Sequence, residues 1–253
     1  MNLTFRQKEI LSAVRTAGRV AVDSLSSALD VTPQTIRRDL NILCDEGHLT
    51  RVHGGAILQS GVANTAYEAR KNLSAEAKEA IGLLCARAIP DDASLFINIG
   101  TTTEAVARHL RTRRDLLVIT NNLNVANIMA ENPHCGVMVT GGMLRRADGG
   151  LMGESTLDTV KQFKADFAVI GVSAIDEDGS LLDFDYREVR ISKAIIANAR
   201  KVYLVADTSK LKRSAPARIG HLSDIDGFFT EQPLPAPLAQ ICAQHGVTVH
   251  TPK

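Results

Sequence analysis

The 253-residue sequence has no Cys-x-x-Cys pair. Cys44, Cys85, Cys135 and Cys242 stand singly, which points away from zinc and from dithiol redox chemistry. Lone thiols suit a reducing compartment. No apolar run approaches the ~18 residues that span a membrane, and Met1–Lys8 has no apolar signal-peptide core. A cytoplasmic protein without a membrane partner is expected. The sequence also lacks a His-x-x-x-His pair, a Gly-x-Ser-x-Gly elbow and a Walker lysine. His53, His109, His134, His221, His245 and His250 lie apart. No metal, cofactor or catalytic residue is expected.

Charge of one sign is missing as well. The formal net charge is +1, so no global basic field draws the chain to nucleic acid. Within residues 1–57, seven Lys/Arg meet six Asp/Glu. Any DNA affinity must come from placing charge on one face. Apolar content of 45% is ample for a buried core, and the length suits a small domain followed by a larger one.

What is present begins with Thr32-Pro33-Gln34-Thr35-Ile36-Arg37-Arg38-Asp39-Leu40. Thr32 is a good N-cap and Pro33 fits a first helical turn. Ile36, Leu40 and Leu43 recur at helical spacing as a buried stripe. Gln34, Arg37, Arg38 and Asn41 fall on the opposite face. Arg pairs with guanine edges, Asn and Gln with adenine edges, so this face reads as a DNA-recognition helix. A helix is predicted before it over Arg6–Thr16, ended by Gly18, and a second near Asp23–Leu29. Gly47 ends the third. Leu49–Val52 and Ala56–Leu58 read as strands joined by the turn His53-Gly54-Gly55. Helix-turn-helix plus hairpin is a winged arrangement whose wing carries Arg51 and His53.

Domain boundaries are set at 1–58 for the DNA-binding part, 59–75 for a linker whose Gln59–Thr65 stretch is small and polar, and 76–253 for the remainder. From Glu68 to Ile89 the pattern is helical, with Ile81, Leu84, Cys85 and Ala88 as its apolar stripe. Beyond Ser94, short apolar runs alternate with helical segments: Leu95–Ile99, Leu116–Ile119, Val137–Val139, Phe167–Val172, Val202–Val205, Gly227–Thr230 and Val247–His250. This rhythm predicts an α/β fold with a parallel sheet covered on both faces.

Polar and glycine-rich residues follow most of these strands, at the edge where open α/β sheets bind ligands. Gly100-Thr101-Thr102-Thr103-Glu104 reads either as a capping box or as an anion cradle at a helix N-terminus. Thr120-Asn121-Asn122-Leu123-Asn124 is a helix cap or a set of partners for a polyol. Gly141-Gly142 opens a loop running through Arg145, Arg146 and Asp148 to Gly153-Glu154. Its glycines permit close ligand approach or merely turns. Asp183–Arg190 is dense in charge and opens a helix. Lys210, in Ala206-Asp207-Thr208-Ser209-Lys210, is a phosphate partner or a solvated surface lysine. Each loop alone is a weak signal; five such loops agree.

The chain resembles the DeoR family of bacterial transcriptional regulators over nearly its whole length. Thr32–Leu40 and Arg51-Val52-His53-Gly54-Gly55-Ala56 carry the likeness to the family's winged helix-turn-helix. Ile99-Gly100-Thr101-Thr102, Thr120-Asn121-Asn122, Gly141-Gly142 and Ala206–Lys210 carry the likeness to its C-terminal parallel-sheet sugar-phosphate sensor domain, related in fold to ribose-5-phosphate isomerase. The resemblance implies a repressor, not an enzyme, of double-stranded operator DNA. A phosphorylated small-molecule effector would release it, sn-glycerol 3-phosphate first on the likeness of Asp148-Gly149-Gly150 and Gly179–Tyr186, and it would act as a homodimer or homotetramer. DNA would meet Thr32, Gln34, Thr35, Arg37, Arg38, Asn41, Arg51 and His53. The effector's phosphate would sit on Gly100, Thr101, Thr102 and Thr103 with Lys210 opposite, beside Gly141 and Gly142, with Asn121, Asn122 and Asp183 for the hydroxyls. The rivals are a regulator of the same family sensing another sugar phosphate, and an active isomerase fused to a DNA-binding module. The isomerases' Asp-Gly-Ala-Asp stretch is replaced here by Gly171-Val172-Ser173-Ala174, which weakens the latter rival. Asp176, Asp183 and Asp185 remain near.

Overall fold

A computed structural model describes residues 3–17, 19–46, 48–52, 54–58 and 67–252. The chain divides into two compact units, residues 1–63 and 64–253.

In the first unit the elements run α1 (Phe5–Ala17), β1 (Arg19–Ala21), α2 (Val22–Ala28), α3 (Pro33–Asp45), β2 (Leu49–Val52) and β3 (Gly55–Leu58). The strands form an antiparallel sheet in the order β1-β3-β2. Strand β1 was not expected, because three residues are too few to show a period of two. Its pairing demands glycine at position 55, where a Cβ would lie 1.9 Å from the Val20 carbonyl oxygen. The α2–α3 turn is closed by the Ser26 hydroxyl, which donates to the Val31 carbonyl at 2.5 Å. Ile10, Val14, Leu25, Ile36, Leu40, Leu43 and Leu49 form the core. Leu40 is fully buried; leaving water stabilises such a side chain by about 1.5–3 kcal/mol. Gly18, Gly47 and His53 lie outside the described residues.

In the second unit, α4 (Tyr67–Asn72) and α5 (Ala75–Ala88) precede β4 (Ser94–Ile97), α6 (Thr101–Leu110), β5 (Leu116–Thr120), α7 (Leu123–Met129) and β6 (Cys135–Val139). A hairpin follows, β7 (Met143–Arg145) and β8 (Gly150–Met152), then α8 (Glu154–Lys161) and β9 (Ala165–Ile170). Next come β10 (Ala174–Ile175), β11 (Ser180–Asp183), α9 (Tyr186–Ala197), β12 (Ala199–Val205), β13 (Ala217–His221), β14 (Gly227–Phe229), α10 (Ala236–Gln244) and β15 (Thr248–His250).

Seven strands form one parallel sheet in the order β15-β14-β12-β9-β4-β5-β6. The seven apolar runs read from the sequence are these seven strands. Helices α5, α6 and α7 bury Ile81, Cys85, Val106, Leu110 and Met129 on one face. Helices α8, α9 and α10 bury Leu157, Val160, Val189, Ile195 and Leu238 on the other. The chain steps outward from β4 through β5 to β6, then restarts at β9 on the far side of β4. The crevice beyond the carboxyl ends of β4 and β9 is therefore the topological switch point, where open α/β sheets bind ligands.

Two expectations are corrected here. The single helix expected over Glu68–Ile89 is two, broken at Ser74, whose φ is +53°. Lys78 folds back from α5 and donates to the Arg70 and Leu73 carbonyls, completing the end of α4. Burial holds the Lys78 ammonium below its ordinary value, with the Asp207 and Glu104 carboxylates pulling the other way. Part of the expected linker thus belongs to the second unit. The stretch from Gly141 to Glu154 is also no simple loop, since Met143–Arg145 pairs with Gly150–Met152.

Candidate functional site

In the first unit, the Thr32 side chain accepts the Thr35 amide at 3.3 Å and caps α3, with Pro33 in the first turn. The Thr32 and Thr35 hydroxyls lie 2.9 Å apart. Gln34, Arg37, Arg38 and Asn41 are exposed along one side of α3, while Ile36, Leu40 and Leu43 are buried on the other. Asp39 is buried too, and Arg6 Nε donates to its Oδ2. That pair ties α1 to α3 and takes one carboxylate off the exposed side. Its partner's guanidinium is held above its ordinary value by the hydrogen bond to Asp39. Arg51 is exposed on β2. The expected role of His53 falls on a residue outside those described.

In the second unit a cleft opens at the switch point. One wall is the start of α6, with Gly100, Thr101 and Thr102; another is Gly171-Val172-Ser173 beyond β9. The first intrahelical bond of α6 runs from the Glu104 amide to the Gly100 carbonyl, so the amides of Thr101, Thr102 and Thr103 precede the ladder. Such amides attract anions, helped by the helix dipole. Arg70 and Lys210 bring positive charge to the cleft, Asp183 and Glu188 negative charge.

The electrostatics follow from crowding. Lys210 sits in a 3₁₀ turn, Thr208–Lys212, capped by Asp207. Loss of water lowers its pKa to about 8, Asp207 opposes this, and Arg213, Lys78 and Arg70 push the same way as burial. The Arg213 guanidinium is lowered as well, by burial first and then by Arg70. Cations crowded in this way favour an anion among them. Arg70 Nη2 reaches Asp148 Oδ2 at 3.3 Å, and its Nε is buried with no hydrogen-bond partner among the described residues.

Two carboxylates line the same cleft. Asp183 Oδ1 accepts the Phe184 amide at 2.6 Å and the Ser173 hydroxyl at 3.1 Å. Burial raises its pKa against those two bonds. Glu188 Oε2 accepts from Arg145 Nη1 at 2.8 Å. Burial raises Glu188 to about 7, the Arg145 bond opposes this, and the neighbouring Asp183 adds to it. Arg145 also grips Asp148 through Nε at 2.8 Å and Nη2 at 2.6 Å, and reaches Asp185 at 3.2 Å. Charges therefore alternate from Arg70 through Asp148 and Arg145 to Glu188.

The cleft brings together five of the ten residues expected around an effector: Gly100, Thr101, Thr102, Asp183 and Lys210. The other five have work elsewhere. The Thr103 hydroxyl donates to the Asn98 and Gly100 carbonyls, both at 2.7 Å, and is fully buried. Asn122 caps α7 by accepting the Asn124 and Val125 amides. Asn121 is buried and donates to the Leu151 carbonyl. Gly141 accepts the Thr156 hydroxyl at 2.6 Å. Gly142 has φ +131°, and a Cβ there would lie 2.4 Å from Thr156 Oγ1. None of these lines the cleft. The capping box between Thr101 and Glu104 is corrected likewise. Gly100 is the N-cap and makes no side-chain cap, while Glu104 accepts from Tyr67, Asn122 and Asn124.

Reading the sequence alone missed Arg70, Ser173 and Glu188. Glu188 lies in the charge-dense stretch Asp183–Arg190, where it was one of several carboxylates. Arg70 sits in what read as linker, and nothing local marks it. Asp176 does not line the cleft; it takes part in a turn with Gly179 and Ser180.

Residues 6–62 match the DeoR-like helix-turn-helix domain, and residues 73–232 the DeoR C terminal sensor domain. The chain is 44% identical to the glycerol-3-phosphate regulon repressor of Escherichia coli (strain K12) over 98% of both chains. It is 42% identical to the HTH-type transcriptional repressor CsqR of the same organism, over 92% of this chain and 89% of that one. Among solved structures, a D-ribose-5-phosphate isomerase in complex with phospho-erythronic acid aligns with 18% identity and a TM-score of 0.41, over 54% of each chain. With a helix-turn-helix unit and a sensor unit both matched, the chain belongs to the DeoR family of transcriptional regulators.

Proposed function

We propose that this chain is a repressor that leaves its operator when a small phosphomonoester enters the cleft of the second unit. sn-Glycerol 3-phosphate is the first-choice effector, and genes of glycerol and glycerol-phosphate metabolism are the targets. The observation that carries this reading is the pairing of the α6 N-terminus with the desolvated Lys210 and with Arg70 at the switch point. The phosphate sits on the Gly100–Thr102 backbone between those two side chains, and hydroxyls meet Asp183. Glycerol-3-phosphate in the name of one relative supports the choice of ester. CsqR, nearly as similar, bears another name, so the cleft and not overall identity must decide the ligand.

One winged unit reads a short half-site, so the repressor works as a homodimer or homotetramer on a palindromic operator. A coupling of ~1–3 kcal/mol between effector and DNA gives ~5–150-fold release. The cleft binds rather than converts its ligand.

Thermal unfolding of the full chain with a ligand panel tests this. At about 100 times the dissociation constant a specific ligand adds about 2.7 kcal/mol of stability. sn-Glycerol 3-phosphate should raise the midpoint and release operator DNA in a gel shift; glycerol should do neither. A midpoint unmoved by every phosphomonoester would overturn the reading. Incubation with ribose 5-phosphate should leave that ester unchanged, and turnover lost in Asp183→Asn would establish the isomerase instead.

A further inference from the structure

Two carboxylates facing an anion site need a reason. Asp183 and Glu188 line the same cleft as Lys210, Arg70 and the α6 N-terminus. Each is fixed through one oxygen only. Both bonds to Asp183 fall on Oδ1, from the Phe184 amide and the Ser173 hydroxyl. The bond from Arg145 to Glu188 falls on Oε2. Asp183 Oδ2 and Glu188 Oε1 accept no hydrogen bond among the described residues. Burial raises both carboxyls, Glu188 to about 7, so above that pH each free oxygen only accepts and the ligand group opposite must donate.

We propose that Asp183 and Glu188 set effector specificity: they admit phosphomonoesters whose far end carries hydroxyls and reject those whose far end carries a carboxylate. This rests on the phosphomonoester reading of the cleft and narrows its chemical class. The cations and the α6 amides take the dianion, and the two ionised carboxylates lining the same cleft accept from neutral hydroxyls and repel a second anion. This adds a repulsive element to the attractive one, since like charge set against like charge disfavours the wrong partner. Arg145, bound to Asp148 and Asp185 as well, holds Glu188 in place and does not itself line the cleft.

Glycerol 3-phosphate and 3-phosphoglycerate, both racemic, differ only by a terminal hydroxymethyl or carboxylate and form the test pair. Calorimetry on the full-length protein should show glycerol 3-phosphate binding at least about 100-fold tighter, the equivalent of about 2.7 kcal/mol. In Asp183→Asn and in Glu188→Gln, each of which keeps its shape and an acceptor, that ratio should shrink by about tenfold or more. Cooperative thermal unfolding, with a midpoint raised by inorganic phosphate, reports that a variant is folded and its phosphate end intact. If wild-type protein binds the two esters within about threefold, the proposal fails, whatever the variants do. Folded variants that keep the wild-type ratio also overturn the assignment to these residues. Wild-type protein that binds neither ester nor phosphate refutes the underlying reading of the cleft instead.

Discussion

The Tyr67 hydroxyl donates to Glu104 Oε2 across 2.8 Å. This bond joins α4, the first described element after residue 66, to α6, whose N-terminus walls the cleft. Asn124 Nδ2 meets the same pair, reaching Tyr67 at 3.1 Å and Glu104 Oε1 at 3.0 Å. Glu104 is buried, so its bonds offset the desolvation of its charge. Tyr67→Phe should destabilise the second unit by about 1.5–3 kcal/mol, the range for hydrogen bonds to charged groups. Urea unfolding followed on that unit checks this; an unchanged midpoint would show the bond to be dispensable. Operator affinity without effector should stay at the wild-type value.

Arg37 and Arg38 lie exposed on α3 and make no ion pair among the described residues. Arg37→Ala or Arg38→Ala should weaken operator binding by about 1–3 kcal/mol if the lost contact is to a guanine edge. A loss equal across DNA sequences, with a shallower salt slope, identifies a phosphate contact instead. Effector binding should be unchanged in both. Near-normal operator affinity in both variants would refute the recognition-helix assignment.

The pKa of Lys210, about 8, has a definite sign for binding. An ammonium held below its ordinary value loses its proton earlier as pH rises, so the contribution of this group to anion affinity declines as pH rises through about 8. Each further pH unit should weaken phosphomonoester binding by about tenfold until the value of the liganded state is passed. The folding contribution runs the other way. The unfolded lysine binds more protons between about pH 8 and 10.4, so this group's penalty on stability fades as pH rises through that window. Lys210→Met should reduce affinity throughout and flatten the alkaline decline. A titration whose alkaline limb survives in Lys210→Met assigns the limb to another group.

Gly142 is kept small by its surroundings. With φ at +131° and Thr156 Oγ1 at 2.4 Å and the Met152 carbonyl oxygen at 2.6 Å from a built Cβ, Gly142→Ala forces the hairpin away from α8. A loss of about 1–3 kcal/mol is expected from such backbone strain. Gly136→Ala, whose new methyl meets Leu117 Cδ1 at 3.4 Å, is the control and should change stability by no more than about 0.5 kcal/mol. Comparable urea midpoints for the two would remove the structural reason for Gly142.

Local pattern was enough for much of this protein. The Thr32 cap, Pro33 and the Ile36–Leu40–Leu43 stripe define α3 within one helix, because capping and helical periodicity are short-range properties. The parallel strands announce themselves as apolar runs, because strands buried on both faces must be apolar throughout. Strand order is different in kind. That β9 lies against β4, and so makes the ends of those two strands a crevice, depends on contacts between Leu95–Ile97 and Phe167–Val169, some seventy residues apart. Only that pairing sets Gly100 beside Ser173 and draws Asp183, Glu188 and Lys210 to one cleft. It also separates the strand-end loops that read alike in sequence. Thr101 and Thr102 face the cleft, whereas Asn121 and Asn122 spend their amides on the Leu151 carbonyl, Glu104 and the start of α7. Arg70 was invisible until the fold returned α4 to the sheet edge, since a guanidinium in a polar stretch carries no local mark of what it will face. Residue chemistry is written in the sequence; which of those residues share a cleft is decided by long-range packing of the sheet.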